Sequence, residues 1–206
     1  MNYKSQYISN GDTATEQLDH IAAALDAGQQ WIQFRFKKAT PYELWETAAK
    51  VKTRCQSYNA TLIINDNVDL ALDIEADGVH LGLTDTSISE ARQRLGSKII
   101  GGTANTFEHV LQRQKEQCDY IGLGPLRFTH TKKQLSPILD FAGYQAILQK
   151  MHNQNLSISI IAIGGITIDD LPLLLEIGVS GIAFSSLLNQ AKNKQELIQK
   201  IYSTFL

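Results

Sequence analysis

The sequence predicts a single (βα)8 TIM barrel over residues 1–206, and three observations predict it. Short apolar runs rich in β-branched residues alternate with amphipathic stretches along the whole chain. There are eight such runs, within a length that suits one domain. Neither phosphate loop of an open doubly wound sheet, GxGxxG or GxxxxGK followed by Ser or Thr, occurs.

The runs lie at 7–9, 31–37, 61–65, 78–83, 99–103, 120–125, 158–164 and 181–185. Helical periodicity is clearest at 16–27 and 44–55. Helix starts are marked as well. Thr40 is placed to cap, Pro41 to open the first turn and Glu43 to close a capping box. Ser87 with Glu90, and Asn193 with Glu196, repeat that logic.

Hydrophobic residues make up 43% of the chain and charged residues 19%, which predicts a packed core and not disorder. The formal net charge of -2 supplies no global field for nucleic acid or an anionic membrane, so any anion site must be local. The N-terminal residues lack the apolar run of a signal peptide, and no stretch approaches the roughly 18 apolar residues of a membrane span. Cys55 and Cys118 are far apart and form no CxxC pair, so a reducing cytoplasm is the expected compartment. The expected partners are small-molecule substrates, with no nucleic acid and no membrane. A homo-oligomer is left open.

Strands of a parallel barrel are covered on both faces, so polar residues at their C-terminal ends carry information about an active site. In the second run, Gln33, Arg35 and Lys37 alternate with Ile32, Phe34 and Phe36. The polar set should face the barrel interior and mouth, where two cations without partners are costly and a bound anion would relieve them. The third run ends at Asn65-Asp66 and the fourth runs on to Asp85. Neighbouring strands are about 4.8 Å apart, so the two acids can meet on one Mg²⁺. Spacing alone equally allows each acid to cap the following helix. His80 reads as a satisfied core histidine with no catalytic role. Gly101-Gly102-Thr103 offers close backbone approach and a hydroxyl, against a plain turn in which Asn105 caps the next helix. Thr129, His130, Thr131, Lys132 and Lys133 follow the sixth run, as a phosphate-binding or a solvated basic loop. Gly164-Gly165 after the seventh run and Ser185-Ser186 after the eighth fit the phosphate cradle that βα barrels build there. These residues together imply two anion sites in one mouth, one cationic and metal-assisted, the other made of neutral backbone.

From about Gln33 to Ser186 the chain resembles the thiamine-phosphate synthase family. The resemblance is carried by Gln33-x-Arg35-x-Lys37, Asn65-Asp66, Asp77-Gly78-Val79-His80-Leu81-Gly82, Asp85, Gly122-Leu123-Gly124-Pro125, Thr129-x-Thr131-Lys132-Lys133, Ala162-Ile163-Gly164-Gly165-Ile166 and Ser186. It implies that Gln33, Arg35, Lys37, Asn65, Thr103 and Lys132 hold an aminopyrimidine diphosphate, with Arg35, Lys37 and Lys132 as the catalytic cations. It implies Mg²⁺ on Asp66 and Asp85, and a thiazole phosphate on Thr129, His130, Thr131, Gly165, Ser185 and Ser186. The implied chemistry is loss of diphosphate to give a pyrimidine methylene cation, which the thiazole nitrogen traps. The sequence departs from the family pattern in three places. Thr103 stands where serine is usual, Leu83-Thr84 where glutamine-glutamate is commoner, and Phe36 where glutamate is common. A thiazole tautomerase paralogue would not need both acids and the full Gln-x-Arg-x-Lys set. A non-catalytic regulator that binds thiamine intermediates would bind without turnover.

Overall fold

The computed structural model describes residues 4–128 and 137–205. Eight parallel strands close in sequence order into a barrel: β1 (Ser5–Ile8), β2 (Trp31–Phe34), β3 (Thr61–Asn65), β4 (Gly78–Leu81), β5 (Ile99–Ala104), β6 (Tyr120–Leu123), β7 (Ser159–Ile163) and β8 (Gly181–Phe184). The helices that follow the strands are α1 (Ala14–Asp26), α2 (Pro41–Ser57), α3 (Val68–Asp73), α4 (Ile88–Leu95), α5 (Phe107–Lys115), α6 (Asp140–Asn153), α7 (Leu171–Ile177) and α8 (Ser186–Asn189). A 3₁₀ turn (Ile168–Asp170) precedes α7, and α9 (Lys194–Thr204) ends the described chain. Among the described residues no helix is long and apolar enough to cross a membrane.

Helix starts follow the local chemistry. Thr40 and Glu43 form the expected capping box on α2, and Thr13 with Glu16 forms another on α1. Ser87 caps α4 and Asn193 caps α9. Asn105 does not cap α5: Thr106 does, and the Asn105 amide donates instead to the Gly124 carbonyl.

The strands are shorter than the apolar runs. β2 stops at Phe34 because the next free amide, that of Arg35, donates to the Ser9 hydroxyl (2.9 Å) and not to a strand. β4 stops at Leu81 because the Gly82 amide is taken by the Asp85 carboxylate (2.7 Å). Arg35, Lys37 and Asp85 therefore stand on loops above the barrel, where side chains can converge.

Period-two alternation divides the core into two layers. Ile32, Phe34 and Phe36 join the large apolar layer between sheet and helices. Phe36 therefore packs away from the mouth, and its place in the Gln-x-Arg-x-Lys segment contributes packing and no charge. Inside the barrel, Ile8, Trp31, Ile63, Tyr120, Ile161 and Ala183 form a separate plug. Glycines make room for it. A Cβ on Gly101 would lie 2.1 Å from the Tyr120 ring, and one on Gly78 would lie 2.1 Å from the Ile99 carbonyl oxygen on the adjoining strand. A small polar network sits on this plug. Gln6 donates to the Tyr120 hydroxyl (3.0 Å), which lies 3.1 Å from His80 Nδ1, and His80 Nε2 lies 3.1 Å from the Thr103 hydroxyl. His80 is thus the satisfied interior histidine that its place in a strand suggests.

The Gly78 contact is with backbone, which cannot turn aside as a side chain can. Gly78→Ala should lower stability by at least about 2 kcal/mol through overpacking between β4 and β5. Urea unfolding measures this, and a loss below about 0.5 kcal/mol, the usual scatter of a surface substitution, would show that the strand pair relaxes freely.

Candidate active site

A cavity of about 570 Å³ opens at the C-terminal ends of the strands. Every site residue expected from sequence lines it, apart from Thr129, His130, Thr131 and Lys132, which lie outside the described residues. On one side stand Gln33 near the end of β2 and Arg35 just after it, with Asn65 at the end of β3. Gln33 is buried and its amide donates to the Asn65 side-chain oxygen (2.8 Å). Its own Oε1 is buried with no hydrogen-bond partner among the described residues. Burial pushes the Arg35 guanidinium below its ordinary pKa, and the nearby Asp66 carboxylate opposes that shift.

Asp66 and Asp85 meet at this rim. Neither is a helix cap, since Asn67 caps α3 and Ser87 caps α4. Asp66 adopts a left-handed backbone conformation (φ 64°), which turns it off the end of β3, and its carboxylate pairs with Lys37. Burial and then the adjoining Asp66 carboxyl push the Asp85 carboxyl above its usual range, against the opposing pull of the Gly82 amide and Lys37. Two acids crowded to this degree favour a cation between them. Among the described residues no group of three or more His, Cys, Asp or Glu is arranged to hold a metal. Two carboxylates still suit Mg²⁺, which usually takes one or two carboxylates and completes its shell with substrate phosphates and water.

Sequence reasoning missed the residue that fixes this rim from behind. Arg113, on α5 and buried, donates to the Thr103 carbonyl (3.1 Å) and the Gly82 carbonyl (3.0 Å), tying the residue after β4 to the C-terminal end of β5. Its one local signal is an Arg on an otherwise apolar helix face, which spacing alone does not distinguish from a surface charge. Leu83 is exposed and lies with Thr84 on the cavity wall beside Asp85.

On the opposite rim, the loops after β7 and β8 present backbone. Gly164 and Gly165 are both left-handed (φ 94° and 66°). Among the described residues no acceptor takes the N–H groups of Gly165, Ile166, Ser186 or Leu187. The Ser185 hydroxyl is likewise buried without a partner among them. A run of free amides at a left-handed turn and a helix start is the arrangement that receives an anion without any cation.

The chain is similar to known proteins along nearly its whole length. The family model described as thiamine monophosphate synthase matches residues 6–188. The thiamine-phosphate synthase of Flavobacterium psychrophilum is 53% identical over 199 residues, covering 96% of this chain and 97% of that protein. That of Bacteroides fragilis is 45% identical over 197 residues, covering 95% and 97%. The solved structure of thiamine phosphate pyrophosphorylase from Pyrococcus furiosus superposes with a TM-score of 0.85 at 28% identity, covering 100% of this chain and 98% of that one. With the family model spanning the barrel from β1 to α8 and relatives matched end to end, the chain belongs to the thiamine monophosphate synthase family.

Proposed function

We propose that this chain joins a pyrimidine diphosphate to a thiazole phosphate, releasing diphosphate and giving thiamine phosphate, the activity its relatives are named for. The observation that carries this reading is a pair of unlike polar clusters on opposite rims of one cavity, each suited to an anion. One is built from Arg35, Lys37, Asp66 and Asp85, the other from backbone amides that no acceptor among the described residues takes. A thiazole tautomerase would need only the second. Because the cations of the first rim are matched by its two acids, that rim suits an anion that arrives with a divalent ion.

Asp66 and Asp85 would hold Mg²⁺, which when bound neutralises charge on the departing diphosphate. Arg35 and Lys37 would stabilise the same developing charge, and Gln33 with Asn65 would orient the pyrimidine. The methylene C–O bond breaks and the electron pair leaves with diphosphate. The thiazole nitrogen lone pair then forms the C–N bond. The residues after β7 and β8 would fix the thiazole phosphate so that this nitrogen faces the methylene carbon. Thr103 would offer a hydroxyl from the cavity wall. The free, buried thiols of Cys55 and Cys118, both pushed up to about 12 chiefly by burial, take no part and support a reducing, cytoplasmic compartment.

Asp66→Asn and Asp85→Asn should each lower turnover by about 100-fold or more while changing stability little. Asparagine tolerates the left-handed backbone at position 66, and helix capping there is done by other residues. Steady-state kinetics with and without a chelator measures the effect. Activity retained by both variants in chelator would remove the metal role.

Lys132 enters from the family resemblance alone. A lysine that stabilises the leaving charge acts more in the transition state than in the substrate complex. Lys132→Ala should therefore lower kcat more than it raises KM for the pyrimidine diphosphate. An unchanged kcat would take Lys132 out of the catalytic set.

A further inference from the structure

We propose that Arg127 and Asp170 form a positioning clamp that sets the backbone of the anion cradle after β7, an inference that rests on the reading of that cradle as the thiazole phosphate site. The residues are 43 positions apart in sequence and belong to different βα units. Arg127 Nη1 donates to Asp170 Oδ2 at 2.5 Å and Nη2 to Oδ1 at 2.7 Å, a two-pronged pair. Nη1 also donates to the Gly165 carbonyl at 3.2 Å.

Both partners are anchored. The backbone amides of Leu126 and Arg127 donate to the carbonyls of Ile163 and Gly164 (2.9 and 3.0 Å), extending the β6–β7 pairing beyond the strands. The guanidinium lies over the Phe141 ring of α6, 5.3 Å from its centroid. Asp170 is buried, and its Oδ2 accepts the Thr167 amide (2.7 Å) and hydroxyl (2.9 Å), closing the 3₁₀ turn. Burial by itself would raise the Asp170 pKa, but the bonds from Arg127 and Thr167 outweigh it and hold the carboxyl below its ordinary range.

The consequence falls on one peptide group. In a trans peptide the C=O and N–H point in opposite directions. With the Gly165 carbonyl held by Arg127, the Ile166 N–H points away from the guanidinium, and Ile166 lines the cavity. Two successive left-handed glycines would otherwise leave this turn many conformations. The clamp removes that freedom. Because Asp170 neutralises Arg127, it does so without adding a net positive charge to a cradle that works through amides. Arg127 and Asp170 touch no reacting group in this scheme and act through the 164–166 backbone.

Two variants separate the clamp from its surroundings. Asp170→Asn keeps a side-chain oxygen for the Thr167 amide and loses the charge. Arg127→Met keeps an apolar stem beside Phe141 and loses the fork. Each is assayed with both substrates varied in turn, and by calorimetric titration with the thiazole phosphate. KM and Kd for the thiazole phosphate should rise about tenfold in each single variant, the effect of about one hydrogen-bonded contact. The double variant should lose little more than the worse single one, as expected of residues acting as one unit. Arg127→Lys should lose nearly as much as Arg127→Met, since an ammonium cannot form the fork. KM for the pyrimidine diphosphate should stay within about twofold. Unchanged thiazole phosphate affinity in both single variants, or an equal loss for both substrates, overturns the clamp. An unaltered protein that neither binds nor consumes thiazole phosphate overturns the reading of the cradle itself, and the clamp with it.

Discussion

Closing eight parallel strands gives every strand two covered faces, and how the inner face is filled decides where this molecule has room for chemistry. The lower interior is occupied by Trp31 and Tyr120, whose rings meet nearly edge to face at 4.8 Å, with Ile63 and Ile161 beside them. The Tyr120 ring fits because Gly101 withholds a side chain where a Cβ would meet it, and Gly78 lets β4 approach the Ile99 backbone of β5. Above this plug the interior turns polar, with Gln33, Asn65, His80 and Thr103 in turn. The cavity therefore opens at one end only, and every βα loop that borders it comes from the C-terminal end of a strand.

The electrostatics of the two rims follow from what each loop was built from. Above β2 to β4 the chain supplies side-chain charges, and they are nearly balanced among themselves. Lys37 pairs with Asp66, Asp85 crowds against Asp66, and Arg35 carries a burial penalty that Asp66 partly offsets. Such a set is poorly satisfied alone, because the two acids repel each other and the guanidinium has no hydrogen-bond acceptor among the described residues. On the proposed reading, a divalent cation together with a polyanion would complete it better than either alone. Above β7 and β8 the chain supplies amides in place of charges, an arrangement that would suit an anion arriving without a cation.

Rigidity behind both rims comes from arginines that bond to carbonyl oxygens, Arg113 buried and Arg127 half-buried. Arg113 ties the Gly82 and Thr103 carbonyls, and Arg127 holds the Gly165 carbonyl. Each is paired with an acid close by, Glu116 for Arg113 and Asp170 for Arg127, so neither adds a free charge beside a substrate. Fixing peptide groups from behind lets glycine-rich loops approach a ligand closely without remaining loose.

The sequence by itself determined the barrel, because alternating apolar runs and capped amphipathic helices repeat a local physical pattern eight times. It also determined which face of β2 carries Gln33, since alternation along a strand is a local rule. It did not determine where strands end. Ser9 stops β2 and Asp85 stops β4 through side-chain contacts that depend on the neighbouring loop. The choice between metal ligand and helix cap for Asp66 and Asp85 was open in the sequence, because Asn67 and Ser87 are equally good caps one or two residues further on. Tertiary structure decided that capping was already satisfied and that the acids face each other. Arg113 and the Arg127–Asp170 pair were illegible for the same reason. Their meaning lies in contacts between βα units distant in sequence, and no local periodicity records which carbonyl a long side chain will reach once the barrel has closed.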